Sequence, residues 1–208
     1  MSPATVLPPP LFLASHPALD FLNTYATPDG VAVEWIGDGA AFFRWLEAAG
    51  HLRAGDGERI SRRIGTAAAD TLAGDARTLR EQLRSALRAG ATARADRALI
   101  SALNDWLAEG SAFARLQAED GLVRLTVQER ADAPRQLLVP LALAAARLLT
   151  EEDLGRVRVC EGPVCSLWFL DRTKSGTRRF CSAETCGNRA KVAAFRARAR
   201  RGAISAPK

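Results

Sequence analysis

Apolar residues in the first 155 positions recur mainly with the period of an α-helix. This spacing predicts four amphipathic helices, over residues 39–49, 59–72, 75–89 and 95–108. Asp38 precedes the first of them as a helix cap, and Gly50 follows it where a glycine commonly ends a helix. A fifth segment, Pro134–Thr150, is apolar nearly all round, which is typical of a helix buried in the middle of a domain.

The period changes to two between the fourth and fifth helical segments. Residues 112–117 and 122–128 alternate in character, and Asp120-Gly121 between them is a typical hairpin turn. Nearer the N-terminus, His16–Tyr25 predicts a strand or a short helix before a turn at 27–30. The pattern therefore predicts an α+β fold, in which a mostly helical N-terminal domain contains one β-hairpin.

Four cysteines occupy the last quarter of the chain, at Cys160, Cys165, Cys181 and Cys186. Four residues separate the members of each pair and fifteen separate the two pairs, a spacing typical of four thiolates on one zinc ion. Both short gaps are longer than the commonest one but stay within the range of structural zinc sites. Two disulfides or four free thiols are the alternatives, but a secreted disulfide framework would spread its cysteines along the chain.

A zinc ion held by four cysteines has no open position for a substrate, so the predicted site is structural rather than catalytic. Both histidines, His16 and His51, lie far upstream, and no Ser-His-Asp set, phosphate loop or carboxylate pair occurs elsewhere. We therefore expect a protein that is not an enzyme. The N-terminus lacks the basic start of a signal peptide and no segment is long enough to span a membrane, which predicts a cytoplasmic protein with a flexible tail over residues 1–14.

Charge divides the chain into two parts. Residues 156–208 contain 13 lysines and arginines but only three acids, a net charge of +10, whereas the first 155 residues carry −4. Four thiolates on Zn²⁺ leave a net charge of about −2, so compensation at the metal explains a small part of this excess. The asymmetry predicts a polyanionic partner for the C-terminal segment.

The end of this segment predicts a basic helix over residues 184–201. Val192, Phe195 and Ala199 share one stripe, which we expect to pack back on the zinc ribbon. Small residues line the opposite side between two cationic rows, so this side can enter a major groove while the long side chains reach phosphates. With two arginines before the third cysteine, the candidate nucleic-acid-binding residues are Arg178, Arg179, Arg189, Lys191, Arg196, Arg198, Arg200 and Arg201. Arg189 is also expected to serve the fold, through hydrogen bonds to the cysteine sulfurs or nearby backbone.

The residues around the last two cysteines, RRFCSAETCGNRAK at Arg178–Lys191, resemble the CGNR zinc-finger family, whose name appears here as residues 186–189. The stretch LWFLDRTKSGTRRFCS at Leu167–Ser182 is similar to the same family, although Phe180 and Ala183 stand where Trp and Met are expected. Upstream, LDFLNT at residues 19–24 is similar to the start of the ABATE domain that accompanies this finger in many bacterial proteins.

This resemblance spans nearly the whole chain and implies an ABATE-like regulatory domain over residues 15–155, followed by a finger over residues 156–208. It implies a stress-associated transcriptional regulator that binds DNA through the finger. Two roles stay open for the N-terminal domain, namely binding of a small-molecule effector and formation of a homodimer. Two other functions of the whole chain also stay open: a zinc-stabilised module that holds a partner protein, and a thiol switch in which oxidation releases the zinc.

Overall fold

The computed structural model describes residues 7–119, 122–130 and 133–204 of the chain. These residues form two compact units. The first, called the finger unit below, combines the residues up to Glu34 with those from Gly155 onward, and the second, the helical unit, comprises Trp35–Leu154. Residues 15–34, which the sequence-based division places in the N-terminal domain, therefore belong to the same unit as the four cysteines.

The described residues contain seven α-helices and six strands. The helices are α1 (Pro17–Leu22), α2 (Gly39–Ala48), α3 (Asp56–Ile64), α4 (Thr66–Arg88), α5 (Arg97–Leu107), α6 (Val139–Glu151) and α7 (Asn188–Ile204). The strands are β1 (Tyr25–Ala26), β2 (Val33–Glu34), β3 (Ser111–Glu119), β4 (Leu122–Arg130), β5 (Val157–Val159) and β6 (Trp168–Leu170). They pair in three antiparallel two-stranded sheets, so the predicted α+β, mostly helical fold is confirmed. Within the described ranges, no helix is long and apolar enough to cross a membrane.

Helix α2 begins at the predicted residue and ends within one residue of the predicted end. The Asp38 carboxylate accepts a hydrogen bond of 2.7 Å from the Ala41 amide, which satisfies one of the N–H groups that a helix leaves free in its first turn. Gly50 follows with a φ of +77°, in the left-handed region that glycine adopts without a steric penalty. Local capping chemistry therefore sets both ends of this helix.

The predicted boundary between the second and third helical segments is wrong. The chain breaks instead at Gly65, whose φ of +82° and ψ of 159° end α3 and precede α4. Helix α4 then continues for 23 residues through Ala73 and Gly74. One glycine costs a helix only about 1 kcal/mol, and the surrounding alanines and the buried face of α4 outweigh that cost.

The core of the helical unit lies where α2 packs against α4 and α5 packs against α6. Its fully buried side chains include Phe42, Leu46, Leu79, Leu83, Leu138 and Leu141. The N-terminus of α2 approaches α4 so closely that a Cβ added at Gly39 would lie 2.4 Å from the Ala69 Cβ. The Gly39 amide donates a hydrogen bond of 2.8 Å to the Asp70 carboxylate, so the contact between α2 and α4 combines this polar bond with apolar packing against Ala69.

The remaining elements of the helical unit follow the sequence pattern. Strands β3 and β4 form the predicted hairpin, with Glu119 opposite Leu122, while the Asp120-Gly121 turn itself lies outside the described residues. The predicted helix at 134–150 consists of a 3₁₀ turn over Pro134–Leu138 followed by α6. Six of the 13 residues of α6 are buried and the other seven are partly or fully exposed, so this helix packs along one side rather than nearly all round as its apolar sequence predicts.

The finger unit is built around the β5–β6 hairpin, in which Val159 lies opposite Trp168. Helix α1 packs on β6, and the side chains of Phe21 and Phe169 are fully buried. The Leu170 amide donates a hydrogen bond of 2.8 Å to the Ala14 carbonyl. The backbone therefore also connects β6 to residues 13–30, called the N-terminal segment below. Ala14 and α1 are therefore a structural part of the unit that contains the cysteines.

Candidate metal centre

The first cysteine pair lies on the turn that joins β5 to β6. Cys160 follows β5 directly, and its amide continues the strand pairing with a hydrogen bond of 2.8 Å to the Leu167 carbonyl. The turn is closed by a hydrogen bond of 3.1 Å from the Cys165 amide to the Gly162 carbonyl. An added Cβ at Gly162 would lie 3.2 Å from both the Cys165 Cβ and the Cys186 Sγ, so a larger residue would crowd two of the four cysteines.

The second cysteine pair lies on a wide helical turn that leads into α7. Ser182 caps this turn by accepting a hydrogen bond from the Thr185 amide, and the Gly187 amide donates to the Ser182 carbonyl at 2.9 Å. The turn, Ala183–Gly187, directs Cys186 back towards Cys181. The capping residue and the glycine therefore position the last two thiols in the same way that a zinc knuckle requires.

The four thiols meet in one buried cluster. Their Sγ atoms all lie within 4.8 Å of one another, with 3.9 Å between Cys165 and Cys181 and 3.7 Å between Cys181 and Cys186. Tetrahedral zinc with Zn–S bonds of about 2.3 Å requires S–S separations of about 3.8 Å. The amides of Gly162 and Cys181 each donate to the Cys160 Sγ at 3.4 Å, as the second shell of a thiolate site does. The donor set and its geometry fit zinc.

The four buried thiols lie so close together that ionising one of them makes it harder to ionise its neighbours. The hydrogen bond from Cys181 lowers the pKa of Cys165 to about 5, whereas the same bond, together with burial, raises the pKa of Cys181. Burial also raises the pKa of Cys186 to about 11. A bound divalent cation must therefore displace thiol protons, and we expect zinc retention to weaken as the pH falls.

The loop between the two cysteine pairs is held by a buried carboxylate. Asp171 is fully buried and accepts hydrogen bonds from the amide and hydroxyl of Thr173 and from the amide of Arg178. These bonds, the one from the Thr173 hydroxyl first, lower the pKa of Asp171. The carboxylate thereby fixes the loop over residues 171–178 and brings the chain back to the third cysteine.

Arg178, a predicted nucleic-acid-binding residue, has most of its guanidinium occupied by the fold. The group lies 4.4 Å from the centre of the Phe169 ring and donates to the carbonyl oxygens of Phe180 and Cys181. It also reaches the Ser15 hydroxyl and the Leu13 carbonyl at 3.4 Å. Arg178 therefore links the metal-site loop to the N-terminal segment.

The side chain of Asn23 makes the most specific contact between the N-terminal segment and the finger. Its amide nitrogen donates to the Trp168 carbonyl at 2.9 Å, and its amide oxygen accepts from the Trp168 amide at 2.8 Å. Asn23 is buried, so it satisfies two backbone groups of β6 that water cannot reach. The Ser166 hydroxyl accepts a further hydrogen bond of 2.8 Å from the Thr27 amide. Sequence reasoning missed this role, although Asn23 lies within the LDFLNT stretch.

Arg189 and Arg179 each pair with a carboxylate of the finger unit. Arg189, at the start of α7, binds Asp29 in the turn after β1, instead of the cysteine sulfurs or neighbouring backbone that the sequence suggested. Arg179 binds Glu161 at 2.6 Å, and both partners are more than half exposed. The carboxylates raise the pKa of both arginines. These ion pairs lie at the surface and contribute little to stability. Another anion can therefore replace the carboxylate at either arginine.

The other predicted nucleic-acid-binding residues lie along α7. Lys191, Arg196 and Arg198 are exposed, and the side chains of Arg200 and Arg201 lie outside the described part of the structure. The expected packing of Val192 and Phe195 on the zinc ribbon is wrong, since these side chains are 48% and 66% exposed. Val192 and Phe195 are therefore largely open to solvent in the described part of the finger unit.

A cluster of four cysteines on a β-hairpin and a wide turn, followed by a helix, defines the class of four-cysteine zinc fingers. Residues 156–199 match the CGNR zinc finger, which confirms the expected zinc. Residues 15–152 match ABATE, described as "Putative stress-induced transcription regulator". Because this match covers more than half of the chain, the protein belongs to the ABATE family. A comparison with curated proteins gave no match.

We predict that the purified protein retains about one zinc ion per chain, because four buried thiolates form a closed structural site. Elemental analysis and native mass spectrometry measure this content directly. Lowering the pH should release the ion, since the protons return to the thiols. A metal-free protein whose mass shows two disulfides would contradict the assignment.

Proposed function

We propose that this protein is a zinc-dependent transcriptional regulator, rather than an enzyme, that binds DNA through the finger unit and α7. The observation that carries the proposal is the charge of +10 in residues 156–208. Arg158, Lys174, Lys191 and Arg198 of this segment are all exposed. The family descriptions, a zinc finger and a transcription regulator, support the same function. Such a regulator acts in the cytoplasm.

Charge compensation at the zinc does not account for the cations of α7. Arg198 lies ten residues after Asn188, the first residue of α7, which is about 15 Å along a helix that rises 1.5 Å per residue. The Debye length at physiological salt is about 8 Å, so an exposed charge at this distance is largely screened from the thiolates. The cations of the second half of α7 are therefore suited to contact phosphates.

We propose that the helical unit supplies the regulatory input. A cavity of about 470 Å³ between α5 and α6 is lined mainly by apolar side chains, including Ile100, Leu103, Leu107 and Leu149. This volume lies in the range of small-molecule sites, and Asn104 and Thr150 add polar groups. An effector with an apolar body and one polar group suits the cavity. Dimerisation by this unit is the alternative, which sedimentation of the purified protein would detect.

A protein partner for the finger unit is the second candidate function. The observation in its favour is the exposure of Val192 and Phe195, one turn apart on α7. A large aromatic side chain that is two-thirds exposed is typical of a contact surface. If the affinity for DNA changes little with salt concentration, the cations do not neutralise phosphates, and this candidate is favoured.

The test is the salt dependence of binding to a DNA duplex of random sequence. Replacing Arg198, Arg200 and Arg201 together by Ala should leave zinc content and melting temperature nearly unchanged. The slope of log K against log salt should fall by about 0.9 for each phosphate that the variant no longer neutralises, or up to about 2.7 for all three. At physiological salt, the affinity should fall on the order of 10²-fold.

A charge-matched control separates local contacts from the effect of net charge. Arg44, Arg97 and Arg147 are exposed residues of the helical unit, and replacing them by Ala removes the same three charges. This variant should keep the slope of the wild-type protein. Equal loss of affinity in both variants would show that only net charge matters, and wild-type protein that does not bind DNA at any salt concentration would refute the proposal.

A further inference from the structure

Two sides of α7 differ in what surrounds them. On one side, a groove of about 680 Å³ separates the helix from the loop over residues 173–180. The helix lines this groove mostly with small residues, whereas the loop lines it with three hydroxyl-bearing residues, of which Thr173 already donates its hydroxyl proton to Asp171. Its lining includes Thr173, Ser175, Thr177, Gly187, Ala190 and Ala194. Arg179 and Lys191 also line it, so both walls carry a cation.

A second recess continues this groove towards β5. It has a volume of about 300 Å³ and shares Thr177, Arg178 and Arg179 with the groove, to which it adds Arg158 and Glu161. The two depressions therefore form one continuous track from Arg158 on β5, past Arg179, to Lys191 on α7. Arg158 and Lys191 are exposed, and no ion pair occupies either of them among the described residues.

The opposite side of α7 offers fewer available cations. Its groove is lined by Glu184, Arg189, Val192 and Arg196 among others. Arg189 is paired with Asp29, Glu184 adds a negative charge, and Val192 is apolar and half exposed. In the described lining of this groove, Arg196 is the cation without a carboxylate partner. The charges around this groove therefore attract an anionic ligand less strongly than the charges along the track do.

We propose that the DNA backbone lies on the track, with Arg158, Arg179 and Lys191 as phosphate ligands. The Ser175 and Thr177 hydroxyls, which are hydrogen-bonded to each other at 2.8 Å, leave one proton between them as an additional donor. This proposal rests on the DNA-binding function inferred above and specifies the surface that performs it. Exposed Ser and Thr hydroxyls, a guanidinium fork and an ammonium group are the donors that proteins commonly aim at phosphate oxygens. The small side chains of α7 leave room for the backbone to approach.

Glu161 competes with the phosphate for Arg179. Its carboxylate lies 2.6 Å from the Arg179 guanidinium and is the acidic group in the described lining of the track. A phosphate on the track would take over Arg179 and lie beside this carboxylate, which repels it. Removing the charge with Glu161→Gln should therefore strengthen DNA binding, while a purely structural ion pair would leave it unchanged.

The test compares two single substitutions in the same helix. Lys191 and Arg196 are both exposed and five residues apart, about 140° around the helix, so they lie on different sides. Lys191→Ala should reduce the salt slope on a random-sequence duplex by about 0.9. Arg196→Ala removes the same charge from another side of the helix and should reduce the slope by clearly less than Lys191→Ala does. Zinc content and melting temperature verify that each variant is folded.

Glu161→Gln provides an independent measurement in the opposite direction, with an expected several-fold gain of affinity. Weaker binding by the Lys191 variant together with tighter binding by the Glu161 variant supports the track. Binding that is more sensitive to Arg196→Ala than to Lys191→Ala, or a Glu161 variant that binds no tighter than the wild type, would place the DNA elsewhere and overturn this inference alone. Absence of DNA binding by the wild-type protein would instead overturn the function as a whole.

Discussion

Replacing Cys181 by Ser is expected to abolish zinc binding and to unfold the finger unit, including its N-terminal residues, while the helical unit stays folded. Structural zinc contributes about 10–16 kcal/mol of binding free energy, which exceeds the stability of a typical small domain. Ala14, Asn23 and Thr27 are hydrogen-bonded to the finger, so the segment over residues 13–30 should be released together with it. The helical unit has its own buried core and contains no cysteine.

Hydrogen exchange resolved by residue measures this outcome. Amides of residues 13–30 and 157–187 should lose protection together, whereas amides of α2, α4 and α6 should keep it. Ser182→Ala is the matched control, because it removes the cap next to Cys181 at a cost of about 1 kcal/mol and leaves all four ligands in place. If protection collapses along the whole chain in the Cys181 variant, the two units fold as one cooperative structure.

Replacing Asn23 by Ala should destabilise the finger unit by about 2–6 kcal/mol, although Asn23 is far from the cysteines in the sequence. The substitution leaves the buried amide and carbonyl of Trp168 without their side-chain partner, and each unsatisfied group costs about 1–3 kcal/mol. Zinc stabilises the folded finger, so the same variant should lose zinc to a chelator more readily than the wild type. Thermal melting and chelator competition measure the two effects.

Asn188→Ala is the control for this prediction. Asn188 is also an asparagine of the finger unit, but it is exposed, and its side-chain amide donates to the Glu184 carbonyl one turn earlier. Its loss should cost within about 0.5 kcal/mol, as is usual for a surface substitution. Equal stability and equal zinc retention in the two variants would mean that the N-terminal segment does not support the finger.

Local patterns in the sequence were sufficient to predict the metal ligands and most of the helices. The cysteine spacing identified the zinc site because a knuckle needs only a short turn, and Gly162 and Gly187 supply it within a few residues of each ligand. The start of α2 was predictable for the same reason, since Asp38 caps the helix three residues away. The boundary between α3 and α4 was not, because both Gly65 and Gly74 can end a helix and the buried face of α4 decides between them.

The roles of individual polar residues in the finger unit depended on tertiary structure. By itself, the sequence determined that residues 156–208 carry a zinc site and a large positive charge. It did not show that Arg178 is used by the fold, that Arg189 pairs with Asp29, or that Arg158 lies on the same track as Lys191. Asn23 and Trp168 are 145 residues apart, and Asp29 and Arg189 are 160 apart. Contacts over such separations leave no periodic or spacing signal in the sequence, so only the folded chain decides which charges remain available to a partner.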